Sequence, residues 1–210
     1  MELYSFFNSS TSYRVRIALG LKGLAYEYRG VNIRKLEHRA ADYVARNPSA
    51  NVPLLVDGEV QLGQSLAIID YLDATYPEPR LIPQDKMRRA RVLEVALAIA
   101  CDIHPVQNLK VLNRLKTLGL SQDQANAWPR DTIAEGLAAC EALAAQCPGG
   151  PFCFGDRPGL ADLCLVPQLY NARRFGVDLG GLPRLLAAEA ACQALPAFQD
   201  AAPERQPDAE

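Results

Sequence analysis

Four hydroxyl residues in a row, Ser9-Ser10-Thr11-Ser12, stand where a strand-type run, Leu3–Phe7, gives way to a helix-type run that continues through Gly20-Leu21-Lys22-Gly23. Hydroxyl oxygens accept hydrogen bonds from the N–H groups of a first helical turn, which have no acceptor inside the helix. The same N–H groups and the helix dipole favour negative charge, so an anion can dock there. If that anion is a thiolate, a serine hydroxyl can donate to it and lower its pKa. The other reading is a serine-rich N-cap with no chemistry. This stretch alone leaves both open.

The elements around it alternate for the first 80 residues. Ala25–Val31 reads as a second strand and about Leu36 to Arg46 as a polar helix that ends at Asn47-Pro48. Asp57-Gly58 between two short apolar runs predicts a hairpin, and Ser65–Tyr76 predicts a helix. That order describes a small sheet with helices packed on it. Pro77–Pro83, with three prolines in seven residues, reads as a linker. Beyond it only helical patterns recur. One long helix is predicted from Met87 to about Leu118, kinked near His104-Pro105, followed by helices over 122–146, 160–173 and 182–192. Cys147–Pro151 reads as a loop, and the polar, proline-containing end, 201–210, reads as a loose tail.

Composition narrows the partners. With 210 residues, 49% hydrophobic and net charge −2, the chain reads as an ordinary globular protein with room for two modest domains. It has no basic excess to suggest nucleic acid. No stretch reads as approaching the roughly 20 apolar residues of a membrane helix, and the start lacks a signal-peptide pattern. A cytoplasmic location is the default expectation. Six cysteines, Cys101, Cys140, Cys147, Cys153, Cys164 and Cys192, include no Cys-x-x-Cys pair, and neither histidine stands at zinc-ligand spacing from them. Reduced, mostly buried thiols and no metal site are expected.

Five segments then assemble in order. Ser9–Leu19, Val52-Pro53-Leu54-Leu55, Gln64–Ile69, Asp102-Ile103-His104-Pro105 and Asn171–Phe175 together resemble the cytosolic glutathione transferase family. The first segment is similar to the zeta class, which includes maleylacetoacetate and maleylpyruvate isomerases. The resemblance runs from residue 1 to about 200. It implies a thioredoxin-like N-terminal domain over 1–80, an all-helical domain over 86–200, an active site between them, and a homodimer.

The resemblance also implies roles. Ser9 donates to the glutathione sulfur, with Ser10 and Thr11 beside it; many zeta members carry cysteine where Thr11 stands. Pro53 is cis and presents the Val52 backbone to the cysteinyl part of glutathione, whereas the residue type alone equally suits an ordinary trans proline opening a strand. Gln64 and Ser65 bind the γ-glutamyl end; alone, Ser65 reads as another cap. His104 binds near glutathione or is a buried structural histidine. Asn108, placed one turn further along the predicted helix, is a candidate polar contact. Arg174 holds a substrate carboxylate through its planar fork, while Arg173 is expected to take a surface ion pair.

Two departures stand out. Asn8 occupies the place where zeta isomerases usually carry an arginine, for which Lys110 and Arg114 are candidate substitutes. Gly159 replaces a capping Ser or Thr ahead of Asp162, which makes Asp162 a fold element rather than a catalyst. The function implied is a glutathione-dependent cis–trans isomerase acting on a small maleyl-type carboxylate from aromatic ring cleavage. The alternatives are a glutathione transferase or dehalogenase acting on small halo acids, and a non-catalytic interaction module of the same fold.

Overall fold

The computed structural model describes residues 1–147 and 149–210, so Pro148 in the predicted 147–151 loop lies outside it. The chain divides into two units. Residues 1–82 and 193–210 form the first, and residues 83–192 form the second.

The first unit is built on a four-stranded sheet. β1 (Glu2–Ser5), β2 (Glu27–Gly30), β3 (Leu54–Asp57) and β4 (Val60–Gly63) lie in the order β2-β1-β3-β4. β1 and β2 are parallel, whereas β3 runs antiparallel to both β1 and β4. A parallel neighbour needs a crossover, and α1 (Ser10–Leu21) supplies it. The β3–β4 turn is Gly58-Glu59, with φ +60° at Gly58 and no positive φ at Glu59, the pattern of a type II′ hairpin. The predicted helix before β3 is split: a short 3₁₀ turn, Glu37–Arg39, precedes α2 (Ala41–Arg46). α3 (Ser65–Thr75) closes the β-rich part.

α1 is buried on nearly every side, from Ser12 to Leu19 without a break. That burial explains why apolar side chains fill it all round rather than along one stripe. It packs against α3 and against α9 (Pro196–Asp200).

The predicted loose tail is therefore a correction. Residues 193–210 return to the first unit and pack on it, with Phe198 fully buried and Gln206 nearly so. Polar composition misleads here because the polar groups are spent on specific bonds: Gln206 Nε2 donates to Asp200 O and Ala202 O, both at 2.8 Å. Pro203 opens a further 3₁₀ turn rather than breaking structure. The helical unit accordingly ends near 192, not 200.

The second unit holds α4 (Lys86–Leu97), α5 (Leu109–Thr117), α6 (Gln122–Ala145), α7 (Leu160–Arg174) and α8 (Pro183–Gln193). α7 is its central element, buried at almost every position from Leu160 to Ala172. The single long helix predicted over 87–118 is interrupted. α4 passes into a π-helical segment, Ala98–Ile103, then a 3₁₀ turn, Pro105–Gln107, before α5. Pro105 has no N–H to continue the ladder, and Asn108 leaves helical geometry altogether at φ −62°, ψ 146°. By length and composition alone the helical run 86–117 would suffice to cross a membrane, contrary to the sequence reading. Within the unit, however, its Val92, Val95, Ala96, Ile99 and Ile103 are buried, and it packs on α6 and α7.

Candidate active site

The first-unit residues converge on the start of α1. Ser9 is its N-cap, extended at φ −88°, ψ 115°, and its Oγ accepts from Ser12 N at 3.2 Å. Ser10 opens the helix and is buried. Thr11 Oγ1 donates to Val52 O at 2.9 Å and lies 2.9 Å from Ser9 Oγ. A carbonyl cannot donate, so the single Thr11 proton belongs to Val52 O and Ser9 must be the donor to Thr11. The hydroxyls thus form a one-way chain: Ser12 N–H to Ser9, Ser9 to Thr11, Thr11 to the Val52 carbonyl. Ser9 offers a proton next to the positive end of a helix, the arrangement that stabilises an anion.

Apolar packing holds the two partners of that chain. Phe6, Phe7, Val52, Leu54, Val31 and Tyr43 form one buried cluster, so the turn leading to Ser9 and the segment bearing Val52 share a core. Asn51 O is fixed from below by Tyr43 Oη at 2.6 Å and Asn47 Nδ2 at 2.8 Å. Burial pushes the Tyr43 hydroxyl up to about 12, so it stays a donor. The Val52–Pro53 peptide is cis.

Gln64 and Ser65 form the second focus. Gln64 takes φ 65°, ψ 111°, which few residues other than glycine adopt. Such geometry in a non-glycine residue marks sites where position outweighs local comfort. Ser65 begins α3, is 4% exposed, and its Oγ accepts from Arg14 Nη1 at 3.3 Å. Arg14 is 1% exposed, and its Nε and Nη2 meet no hydrogen-bond acceptor among the described residues. A buried cation is costly unless paired. Here it stands behind a helix N-terminus of the same sign, which makes the Ser65 end of α3 fit for a carboxylate. Sequence reasoning missed Arg14. The signal was present: two arginines, 14 and 16, inside an otherwise apolar helical run.

The second unit carries the remaining candidates. His104 is buried at the end of the π segment, its N donating to Ile99 O at 2.9 Å. π segments recur at functional sites. The placement of Asn108 on one helical face with His104 is corrected: Asn108 caps α5 instead, its O accepting from Val111 N and Leu112 N. Arg173 takes the ion pair, with Nη1 and Nη2 on the two Glu189 oxygens at 2.6 and 2.5 Å. Arg174 is exposed, and its Nη1 donates to Asn171 Oδ1 at 3.2 Å. Lys110 and Arg114 lie exposed on α5. Asp162 serves the fold, as its Oδ1 accepts from Cys153 N and its Oδ2 from Gly159 N, the half of a capping box that needs no side chain at Gly159. Burial raises the pKa of Asp162.

Two family models match the chain. Residues 3–80 match the glutathione S-transferase N-terminal domain, and residues 123–197 match the glutathione S-transferase C-terminal domain. Maleylacetoacetate isomerase of Pseudomonas aeruginosa is 48% identical over 211 residues, covering 99% of this chain and 98% of that protein. Among solved structures, a holo maleylpyruvate isomerase, described as a bacterial zeta-class glutathione transferase, superimposes with TM-score 0.97 at 48% identity and 100% coverage of both chains. A maleylacetoacetate isomerase from Anaeromyxobacter dehalogenans, with glutathione bound in its active site, matches with TM-score 0.90 at 46% identity, over 100% of this chain and 97% of that one.

Proposed function

Because this chain belongs to the glutathione S-transferase family, in its zeta class, we propose that it is a glutathione-dependent cis–trans isomerase of a maleyl-type ring-cleavage product, with Ser9 as its thiolate-stabilising hydroxyl. The observation that carries this assignment of the site is the oriented hydroxyl chain from Ser12 N through Ser9 and Thr11 to Val52 O.

Glutathione fits the residues present. The α1 N-terminus and Ser9 suit a thiolate, the Val52 segment suits the cysteinyl backbone, and Ser65 backed by the Arg14 guanidinium suits the γ-glutamyl carboxylate. Bound glutathione supplies a thiolate that adds to the conjugated double bond, leaves it single so that it can rotate, and is eliminated again. Ser9 donates to the sulfur and holds it ionised near neutral pH, where a free thiol of pKa about 8.5 is mostly protonated. Ser10 and Thr11 complete the turn, and Thr11 ties it to the Val52 carbonyl. Gln64 and Ser65 anchor the cofactor. Arg174 takes the substrate carboxylate as a bidentate cation. The active enzyme is a cytoplasmic homodimer in this reading, which light scattering on the purified protein checks.

The deciding experiment follows maleylacetoacetate and maleylpyruvate by ultraviolet absorbance, with and without catalytic glutathione. It uses the wild type and Asn8→Arg. Fast glutathione-dependent isomerisation of one substrate by the wild type identifies it and shows that no cation is needed at position 8. A wild type that is inactive until Asn8→Arg restores the rate would move the transferase reading, on small electrophiles, to the front.

A further inference from the structure

The last 15 residues run alongside α1 towards the turn that carries Ser9. Near the far end of the helix, a Cβ added at Gly20 would lie 3.2 Å from Ala197 Cβ, so α9 lies directly on that glycine. Next, Tyr13 Oη donates to Phe198 O at 3.3 Å and Arg16 Nε donates to Ala201 O at 2.9 Å. At the near end, Asp208 Oδ2 accepts from Phe7 N at 3.1 Å, while its Oδ1 accepts from Tyr28 Oη at 2.5 Å.

The Phe6–Ser9 turn is gripped on both of its polar faces. Ser9 N donates to Phe6 O at 3.0 Å and closes the turn. Inside it, Phe7 N is held by Asp208 and Phe7 O by Arg16 Nη2 at 3.0 Å. Arg16 also donates from Nη1 to Phe6 O and to Ser5 Oγ. Arg16 is 1% exposed; burial lowers its pKa, against which the nearby tyrosines and the Asp208 carboxylate act to raise it. One guanidinium thus joins the carbonyls before Ser9 to the carbonyl of Ala201. Nothing in a two-residue turn fixes its own orientation this firmly; Phe7 N and Phe7 O, two of its central backbone polar groups, take their partners from Asp208 and Arg16.

We propose that the C-terminal segment is a positioning strap for the catalytic turn, with Asp208 and Arg16 as its positioning residues. This rests on the reading of Ser9 as the thiolate's hydroxyl. A donor set displaced by a fraction of an ångström loses much of its effect on a developing or bound charge. Removing the Asp208 carboxylate therefore costs turnover more than it costs glutathione affinity, because the Ser65 end of the site is tied to Arg14 and lies in a different segment from the Phe6–Ser9 turn.

The test measures the ultraviolet absorbance of thiolate in the glutathione complex across pH, together with kcat and the glutathione KM, for wild type, Ser9→Ala, Asp208→Ala, Asp208→Asn and Asp208→Glu. Asp208→Ala is expected to move the acidic limb of the thiolate titration upward and to lower kcat roughly tenfold, with KM changed less than about twofold. Asp208→Asn retains an acceptor for Phe7 N and a donor for the Tyr28 oxygen, so it should recover most of both. A wild-type titration and kcat in Asp208→Ala, beside a clear loss in Ser9→Ala, would overturn the strap and leave the Ser9 reading intact. No loss of thiolate in Ser9→Ala would remove the premise and the strap with it. If Asp208→Ala does not fold, Asp208→Glu decides: it keeps the charge but displaces the acceptor of Phe7 N by one methylene, and an unchanged titration and kcat there refute the proposal.

Discussion

Replacing Ser9 separates two roles that coincide in one oxygen. As a cap, Ser9 Oγ accepts from Ser12 N at 3.2 Å, and losing it in Ser9→Ala costs about 1 kcal/mol of stability. For a chain of this size that is a Tm lower by about 2–4 °C. As a donor, Ser9 must turn from its resting partner, Thr11 Oγ1 at 2.9 Å, to the sulfur. A hydrogen bond to a charged group contributes about 1.5–3 kcal/mol, and the resting neutral bond given up is about 0.5–1.5 kcal/mol. The net is about 1–2 kcal/mol, which is roughly 5- to 30-fold in thiolate stabilisation and about one unit of thiol pKa. The sign follows directly: the thiol of bound glutathione titrates higher in the variant, so the deficit is largest at and below neutral pH and shrinks at alkaline pH, where both forms are ionised. Ser9→Gly is the control. Glycine caps nearly as well as serine, within a few tenths of a kcal/mol, yet has no hydroxyl. The assay is the pH profile of glutathione-dependent isomerisation with a thermal melt on each variant. Equal rate losses in Ser9→Ala and Ser9→Gly, with a lowered Tm only in the former, are expected. A full rate and unshifted profile in Ser9→Gly would refute the argument and leave Ser9 a cap.

Other perturbations probe the frame and the second unit. Gln64→Gly relieves a positive φ of 65° and should leave stability unchanged or raised by up to about 1 kcal/mol, while raising the glutathione KM by about tenfold; urea melts and steady-state kinetics read the two separately. Arg174→Met should raise the KM for the carboxylate substrate by roughly tenfold with an unchanged melt, whereas Arg173→Met should spare KM and lower stability, because it strands Glu189. Lys22 Nζ meets Asp73 Oδ1 at 2.9 Å with side-chain exposures of 0% and 5%, so Lys22→Met should cost about 3–5 kcal/mol in denaturant unfolding. A Cβ on Gly136 would sit 2.3 Å from Ile103 Cγ1, and Gly136→Ala should therefore destabilise by about 1–3 kcal/mol despite its better helix propensity. Cys140, pushed up to about 12 by burial, and the equally enclosed Cys153, Cys164 and Cys192 should resist alkylation in the native protein, while exposed Cys101 reacts; mass spectrometry of the labelled chain distinguishes them.

What was legible in the sequence was local, and what was hidden was long-range. Hydroxyls ahead of an apolar run mark the start of α1 because a cap needs only its next three residues, and Asp57-Gly58 marks the β3–β4 turn because one glycine decides it. Pro105 likewise announced an interruption, but not its form. Whether a helix loosens into a π segment depends on what it packs against, and here α6 brings Gly136 onto Ile103. The tail failed for the same reason on a larger scale. Asp208 is polar, terminal and near proline, and every local rule reads such a residue as solvated; its partners lie 201 and 180 residues away. Arg14 and Arg16 occupy the middle ground. Two guanidinium groups inside a helix with no polar face had to be either paired or directed at something. The structure separates them by three ångströms of helix rise: Arg16 is satisfied by carbonyls of the turn and the strap, while Arg14 keeps Nε and Nη2 without an acceptor among the described residues and offers only Nη1 to Ser65. A cation left in that condition has no reason to persist in a core on stability grounds, since an apolar side chain of equal volume would cost less. Its charge is useful only if something negative arrives at Ser65, and so the least comfortable side chain in the first unit is the one that points most directly to a bound carboxylate.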